Sequence, residues 1–193
     1  MRTFTDITER KRLEQELEHL SQVDSLTGAM TRRAFDQRLA EEIERARRLD
    51  HPLTLLIADL DHFKQVNDTR GHHAGDMALR GFVAVCRQEF RKYDLVGRLG
   101  GEEFALLLPD TGFDVALVAA ERLRAAVTRS PIDPGVPGQT FHITVSIGVA
   151  QLRPADDATP FIQRADQALY AAKAAGRNAV RGEESEISPA APR

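Results

Sequence analysis

Three carboxylates stand out by their placement against glycines and apolar runs. Glu102 and Glu103 follow Gly100-Gly101, between Asp94-Leu95-Val96 on one side and Ala105-Leu106-Leu107-Leu108 on the other. Asp59 closes a separate apolar run, Leu53-Thr54-Leu55-Leu56-Ile57-Ala58, and leads into Leu60-Asp61. Glycine reaches positive φ without a Cβ clash, so Gly100-Gly101 between apolar runs reads as the two-residue primed turn of a β-hairpin. Carboxylates gathered at a strand end and a hairpin tip make an oxygen-only site. Hard cations such as Mg²⁺ suit it, because they take one or two carboxylates plus substrate phosphates. Nothing protrudes from Gly100 or Gly101, so a phosphate could approach the backbone there. The chemistry indicated is phosphoryl or nucleotidyl transfer, in which a metal offsets polyphosphate charge, helps deprotonate an attacking hydroxyl and stabilises leaving pyrophosphate. In a regular strand Glu102 and Glu103 would face opposite ways, so one of them shares a face with the metal. Taken singly, the two glutamates are acids that keep a hairpin tip soluble, and Asp59 is a strand-end acid.

Whether these acids meet depends on the elements between them. Thr31 is a cap for a helix that carries Phe35, Leu39, Ile43 and Ala46 on one face and ends at Asp50-His51-Pro52. Residues 53–58 then read as a buried strand. A polar loop through Gly71 and Gly75 precedes a helix with Leu79, Phe82, Val83, Cys86 and Phe90 on one side, and the hairpin follows. Val115, Val118, Ala119, Leu123, Ala126 and Val127 mark another amphipathic helix. After a loop rich in Pro and Gly, residues 141–149 form a strand with β-branched residues, and Phe161, Ala165, Ala168, Leu169 and Ala172 form a last helix stopped by Gly176. Strand, helix, strand, strand, helix, strand is the βαββαβ order of a ferredoxin-like α+β core. Its antiparallel sheet is expected to carry helices on one face. In that topology the first strand lies beside the hairpin, so Asp59 can meet Glu102.

Composition narrows the rest. The 193 residues, 42% hydrophobic, suit one main domain with a core, and the formal net charge of -3 offers no general attraction to nucleic acid or anionic membrane. Cys86 is the single cysteine, so no internal disulfide forms. No apolar run approaches the ~18 residues of a membrane span and no signal peptide is visible at Met1, so a soluble, cytoplasmic chain is expected. His62, His72 and His73 are not joined by cysteine and neighbour oxygen ligands, which argues against zinc. Residues 1–22 are expected to be a helix whose Leu13, Leu17 and Leu20 form a narrow stripe, suited to pairing with a second helix or to a solvated connector. Residues 23–181 form the main domain, and the acidic, then Pro/Ala-rich tail 182–193 is expected to be disordered.

Read together, these segments resemble the GGDEF family of diguanylate cyclases in its GGEEF form, over residues 24–181. The resemblance rests on Asp24-Ser25-Leu26-Thr27-Gly28, the run Asp59-Leu60-Asp61-His62-Phe63-Lys64-Gln65-Val66-Asn67-Asp68, Gly71-His72 with Gly75-Asp76, and Arg98-Leu99-Gly100-Gly101-Glu102-Glu103-Phe104. Ser146-Ile147-Gly148, read here as structural, and the stretch from Ala165 through Lys173 to Gly176-Arg177-Asn178 complete it. The resemblance implies a palm-like nucleotidyl cyclase fold and condensation of two GTP into cyclic di-GMP, with release of two pyrophosphates. Asp59, Glu102 and the Leu60 carbonyl would hold the metal, Mg²⁺ or Mn²⁺, two per site. Phe63, Lys64, Lys173 and Arg177 would surround the triphosphate, and Asn67 and Asp76 would recognise guanine. Glu103 would support the metal or accept the 3′-hydroxyl proton. Arg91 and Asp94, with Arg122 as a further contact, would form an inhibitory site for the product.

One such site holds one GTP, so turnover implies a homodimer. Residues 4–11 resemble the exit of a PAS sensor domain, which implies a sensor upstream. Thr31 stands where the family usually has Asn, and Leu99 where an aromatic is common. The alternative reading is a catalytically silent domain that binds GTP or cyclic di-GMP as a regulator.

Overall fold

The computed structural model describes residues 22–136 and 138–183. β1 (Met30–Thr31) leads directly into α1 (Arg32–Leu49), where Thr31 is the N-cap and accepts a hydrogen bond from the Ala34 amide at 3.4 Å. Asp50 ends the helix in the left-handed region, φ 53°. β2 (Leu53–Leu60) is buried over its whole length. α2 (Phe63–Arg70) and α3 (His72–Glu89) follow, then the hairpin of β3 (Leu95–Gly100) and β4 (Glu103–Pro109). α4 (Phe113–Arg129), β5 (Val145–Gln151), α5 (Ala158–Ala174) and β6 (Val180–Gly182) complete the chain.

The sheet runs β1-β3-β4-β2-β5-β6. Its four central strands are antiparallel neighbours in the ferredoxin-like order, while β1 and β6 add parallel edges. β2 lies against β4 as the topology demands, with Asp59 opposite Glu103 on one side and Ser146 of β5 on the other.

Four features differ from expectation. Helices cover both faces of the sheet. α3 and α4 pack Leu79, Phe82, Leu123 and Val127 on the face of Leu56, Ala58, Phe104, Leu106 and Ile147. α1 and α5 pack Phe35, Leu39, Ile43, Phe161 and Leu169 on the face of Leu55, Ile57, Ala105 and Leu107. The unbroken apolar run of β2 reflects burial on both sides, since a strand with one wet face would alternate. Secondly, the expected loop between Asp61 and Gly75 is largely helical. α2 contains no fully buried residue, so no strong apolar period betrays it, and α3 starts at His72, five residues before its first large apolar side chain, Met77.

Thirdly, the last long strand begins at Val145 rather than Phe141. Its partner β2 ends at Leu60, opposite Val145, and Phe141 bridges instead to Ile132. Finally, the tail begins later than residue 182: Gly182 belongs to β6, and the Glu183 amide donates to the Val149 carbonyl at 2.8 Å. The N-terminal leucine stripe, the PAS-like residues 4–11 and residues 184–193 lie outside the described residues.

Candidate active site

β2 carries Asp59 to the end of the sheet on the face that α5 covers, and Lys173 in the last turn of α5 reaches it, Nζ to Oδ2 2.7 Å. That reach depends on how closely α5 lies on β5. A Cβ at Gly148 would stand 2.1 Å from the Ala165 carbonyl oxygen and 2.2 Å from the Leu169 amide nitrogen, so only glycine admits the helix at this distance. The residue read as structural in the sequence thus sets the position of a cation in the site.

The hairpin tip is built one residue later than the Gly-Gly pair suggests. Gly100 pairs with Glu103 and a bulge falls between Arg98 and Gly100, which makes Gly101 and Glu102 the two central turn residues. Gly101 has φ 51° and Glu102 is not in the positive region, in keeping with the glycine-first primed turn. Glu102 therefore sits at the turn, and its carbonyl accepts from the Leu60 amide at 3.3 Å. Glu103 is the ladder partner of Asp59 and shares its face, with its side chain exposed. A Cβ at Gly100 or Gly101 would meet nothing within 4 Å, so the flank of the turn is open.

Burial pushes the Asp59 carboxyl above its ordinary range. Lys173 opposes this by hydrogen bond and charge, while the charges of Glu102 and Asp61 add to it. One lysine thus faces an acid cluster that it does not neutralise. Asp61, also buried, is satisfied without a cation. It accepts from Thr144 Oγ1 and Ser146 Oγ, both at 2.7 Å, and from the Asn178 amide at 2.9 Å. It joins the end of β2 to the start of β5 and to the turn after α5.

α2 starts directly after Asp61 and His62, so its first-turn amides, which lack intrahelical acceptors, lie at the same end of the sheet as Asp59. Phe63 is half-buried and Lys64 exposed at that start. One turn further, the Asn67 side-chain oxygen lies against Gly75, 2.0 Å from where a Cβ would be, and Asp76 follows Gly75. The α2–α3 crossing thereby brings Asn67 and Asp76 to one place. Arg177 is exposed just beyond α5, at φ 65°.

The donor set fits a divalent cation of the magnesium type. It comprises the Asp59 and Glu102 carboxylates and the Leu60 carbonyl at one sheet end, all oxygen, with a charge surplus a cation would relieve. Among the described residues no group of three or more His, Cys, Asp or Glu side chains could hold a metal alone. Such an incomplete set suits an ion whose remaining ligands are phosphates and water rather than a closed zinc site.

A second charged corner lies where α3 meets β3. The Arg91 amide donates to Asp94 Oδ2 at 2.8 Å and the Arg91 guanidinium to the Tyr93 hydroxyl at 2.7 Å. Asp94 Oδ1 is buried with no hydrogen-bond partner among the described residues. Burial raises the Asp94 carboxyl despite the amide and charge of Arg91. Both residues line a cavity of about 470 Å³ together with Arg87, Lys92 and Phe90. The Arg122 guanidinium is not brought to Asp94: it is paired with Glu89, Nε to Oε2 2.6 Å.

A family profile described as Diguanylate cyclase, GGDEF domain, matches residues 21–179. The chain belongs to the GGDEF family. Response regulator PleD of Caulobacter vibrioides is 41% identical over 180 residues, covering 93% of this chain and 39% of PleD. Diguanylate cyclase DgcM of Escherichia coli is 42% identical over 175 residues, covering 91% of this chain and 42% of DgcM. The chain thus spans about two-fifths of the length of these curated relatives. Among solved structures, the GGDEF domain of DgcB from Caulobacter crescentus, in complex with cyclic di-GMP, superposes with a TM-score of 0.81 at 34% identity, covering 85% of this chain and 94% of that one.

Within this GGDEF domain, sequence reasoning missed the residues that hold the motif in place. Arg98 donates to the Gly101 carbonyl from Nε at 3.0 Å and from Nη2 at 2.8 Å, and its Nη1 lies 3.3 Å from Asp24 Oδ2. Asp24 in turn accepts from the amide and hydroxyl of Thr27, at 2.8 and 2.6 Å. The segment at residues 24–28 is therefore the anchor of the hairpin turn. The signal was an arginine three residues before the second glycine and an Asp-x-x-Thr turn motif. Asp61 was legible only as one more acid, because its partners are 83 to 117 residues away in sequence.

Proposed function

We propose that this domain is a diguanylate cyclase, condensing two GTP into cyclic di-GMP with release of two pyrophosphates. The observation that carries the reading is the junction of Asp59, the Gly101-Glu102 turn and Lys173 at one open sheet end of a GGDEF-family chain. In each half-reaction a 3′-hydroxyl oxygen forms a bond to the α-phosphorus of the other nucleotide. The bond from that phosphorus to the bridging oxygen breaks, and pyrophosphate leaves with the electron pair. Asp59, Glu102 and the Leu60 carbonyl would hold Mg²⁺ or Mn²⁺, two ions per site, which when bound offset triphosphate charge and stabilise the departing pyrophosphate.

Lys173 and Arg177, with Lys64 and the first-turn amides of α2, bind the phosphates, and Phe63 shields them on the core side. Glu103, exposed opposite Asp59 in the ladder, accepts the hydroxyl proton. Asp76 takes the N1 and N2 hydrogens of guanine with Asn67 beside it, and adenine offers neither hydrogen. Because one site holds one GTP, two copies must face each other, so the active species is a homodimer. The leucine stripe at residues 13–20 is a means of pairing them, and a PAS-like sensor preceding this domain is the input.

Asp94 Oδ1, buried and without a hydrogen-bond partner among the described residues, lies beside the cavity lined by Arg87, Arg91 and Lys92 and supports a product site for feedback inhibition there. Arg122 joins it only by leaving Glu89. The Arg91→Ala variant is expected to resist inhibition by added cyclic di-GMP, measured against its own uninhibited rate; unchanged inhibition refutes this site. The central test is incubation of purified protein with GTP and Mg²⁺, chromatographic identification of the product, and a Glu102→Ala control. Cyclic di-GMP formation that needs Glu102 and declines in specific rate on dilution to monomer is expected. A dimeric sample that binds GTP without forming product would instead make the domain a silent regulator.

A further inference from the structure

The turn that follows α5 is gripped from a second side, by α4. Gly176, Arg177 and Asn178 all have positive φ, at 108°, 65° and 44°. For residues that carry a Cβ this backbone is disfavoured and persists only where the surroundings over-determine it. Three sets of contacts do so. The Gly176 amide donates to the Lys173 carbonyl at 3.3 Å and the Arg177 amide to the Ala172 carbonyl at 3.2 Å, the paired bonds of a Schellman cap. The Asn178 amide donates to Asp61 Oδ2 at 2.9 Å. The Asn178 side-chain oxygen accepts from Arg124 Nη1 at 2.8 Å and lies 3.2 Å from Thr128 Oγ1, both residues on α4.

The two α4 contacts are not equal. The Thr128 hydroxyl has one proton and is also 3.0 Å from the Arg124 carbonyl oxygen, so that proton is shared. Arg124 is the firm donor, and Glu121 orients it, Nε to Oε2 2.7 Å. The cap holds the backbone up to Arg177, and the sheet and α4 hold the residue after it. Arg177 stands between two clamps, so its Cα–Cβ direction is fixed by contacts that do not involve its own guanidinium.

We propose that Arg124 and Asn178 are positioning residues for the substrate's phosphates: the Arg124–Asn178 contact locks the left-handed turn that aims Arg177. The inference rests on the reading that Arg177 meets the triphosphate of GTP. Neither residue touches substrate. Releasing the contact leaves the fold and the guanine contacts in place while Arg177 loses its preset direction, and binding then bears the cost of ordering it.

Calorimetric titration with a non-hydrolysable GTP analogue and, separately, with GMP, which lacks the β- and γ-phosphates, tests this. Arg124→Met removes the donor but keeps an unbranched apolar stem, and Asn178→Gly removes the acceptor while keeping positive φ accessible. The variants approach one contact from opposite sides, so either carries the test if the other does not fold. Each is expected to weaken binding of the analogue about 5-fold, as expected for one hydrogen bond, and to bind GMP as the wild type does. Placed on an Arg177→Ala background, Arg124→Met is expected to add less than about 2-fold, because the residue it acts through is gone. Equal losses with and without Arg177, or equal losses for GMP and the triphosphate, would overturn the positioning role. A wild-type protein that binds neither nucleotide would overturn the GTP reading together with it.

Discussion

The two ends of the sheet each hold a charged cluster, and the clusters are balanced in opposite ways. Beyond β5, the Arg164 guanidinium holds Asp156 with bonds of 2.6 and 2.8 Å and also bonds Glu183. Arg153 lies 3.1 Å from Glu183 and donates its amide to Asp156 at 2.7 Å, and the Gln151 amide donates to Glu183 at 2.9 Å. Two acids meet two guanidiniums and two backbone amides. Burial alone would raise Asp156, but hydrogen bonds and charge from Arg164 and Arg153 outweigh it and hold the carboxyl below its ordinary range. At the other end Asp59 has one lysine and the repulsion of Glu102 and Asp61, so burial wins and the carboxyl rises. The saturated cluster fastens β6 and α5 to the sheet. The unsaturated one keeps a surplus of negative charge that a cation would relieve, and that difference separates a candidate site from a strut.

Exchanging the acid at each end breaks the comparison most directly. Asp59→Asn is expected to lower cyclic di-GMP formation by on the order of 10³-fold, the scale of losing one preorganised electrostatic group at a reacting centre. Its thermal midpoint without metal is expected to hold or rise, because burial already disfavours this charge. Retained turnover, or a large fall in the midpoint, would show that Asp59 is a strut after all. Asp156→Asn is the converse. Removing one partner of a nearly buried ion pair costs roughly 3 kcal/mol in urea unfolding, while specific activity per folded molecule stays close to wild type.

Acidification sharpens the contrast with a smaller effect. Asp156 and Asp24 have folded values below the ordinary 3.8, so their contribution is complete above pH ~3.8 and is lost as pH falls through the lower folded values. Asp59 has the opposite sign: its folded value is raised, so the stability it contributes is present at acid pH and lost as pH rises through that value. Urea midpoints in metal-free buffer between about pH 3 and 6 should therefore lose acid sensitivity in Asp156→Asn and gain it in Asp59→Asn. Parallel profiles for the two variants would erase the distinction.

Much of the central fold was legible because its signals are local. Alternating or continuous apolar runs marked β2, β4 and β5, apolar stripes marked α1, α3, α4 and α5, and Thr31, Asp50 and Gly176 acted as the stop and start residues they resembled. α2 was not legible, since it only half-buries Phe63 and Val66 and so has too short an apolar period to read. The two-layer cover of the sheet was present in the unbroken run of β2, but a single strand does not say which helices lie on which face.

The sequence by itself determined the chemical inventory of the site: the carboxylates, the open glycine turn, the lysine and arginine near the end of α5, and the family to which that set belongs. Tertiary structure decided their relations. It put Glu102 rather than Gly100 at the turn centre, made Glu103 the ladder partner of Asp59, and turned Asp61 into a junction of three segments. It also tied Arg98 to residues 24–28 and Arg124 to the turn that bears Arg177. The physical reason is separation along the chain: caps, turns and periodicity are set within a few residues, whereas charge balance depends on groups that only the folded sheet brings within hydrogen-bond distance.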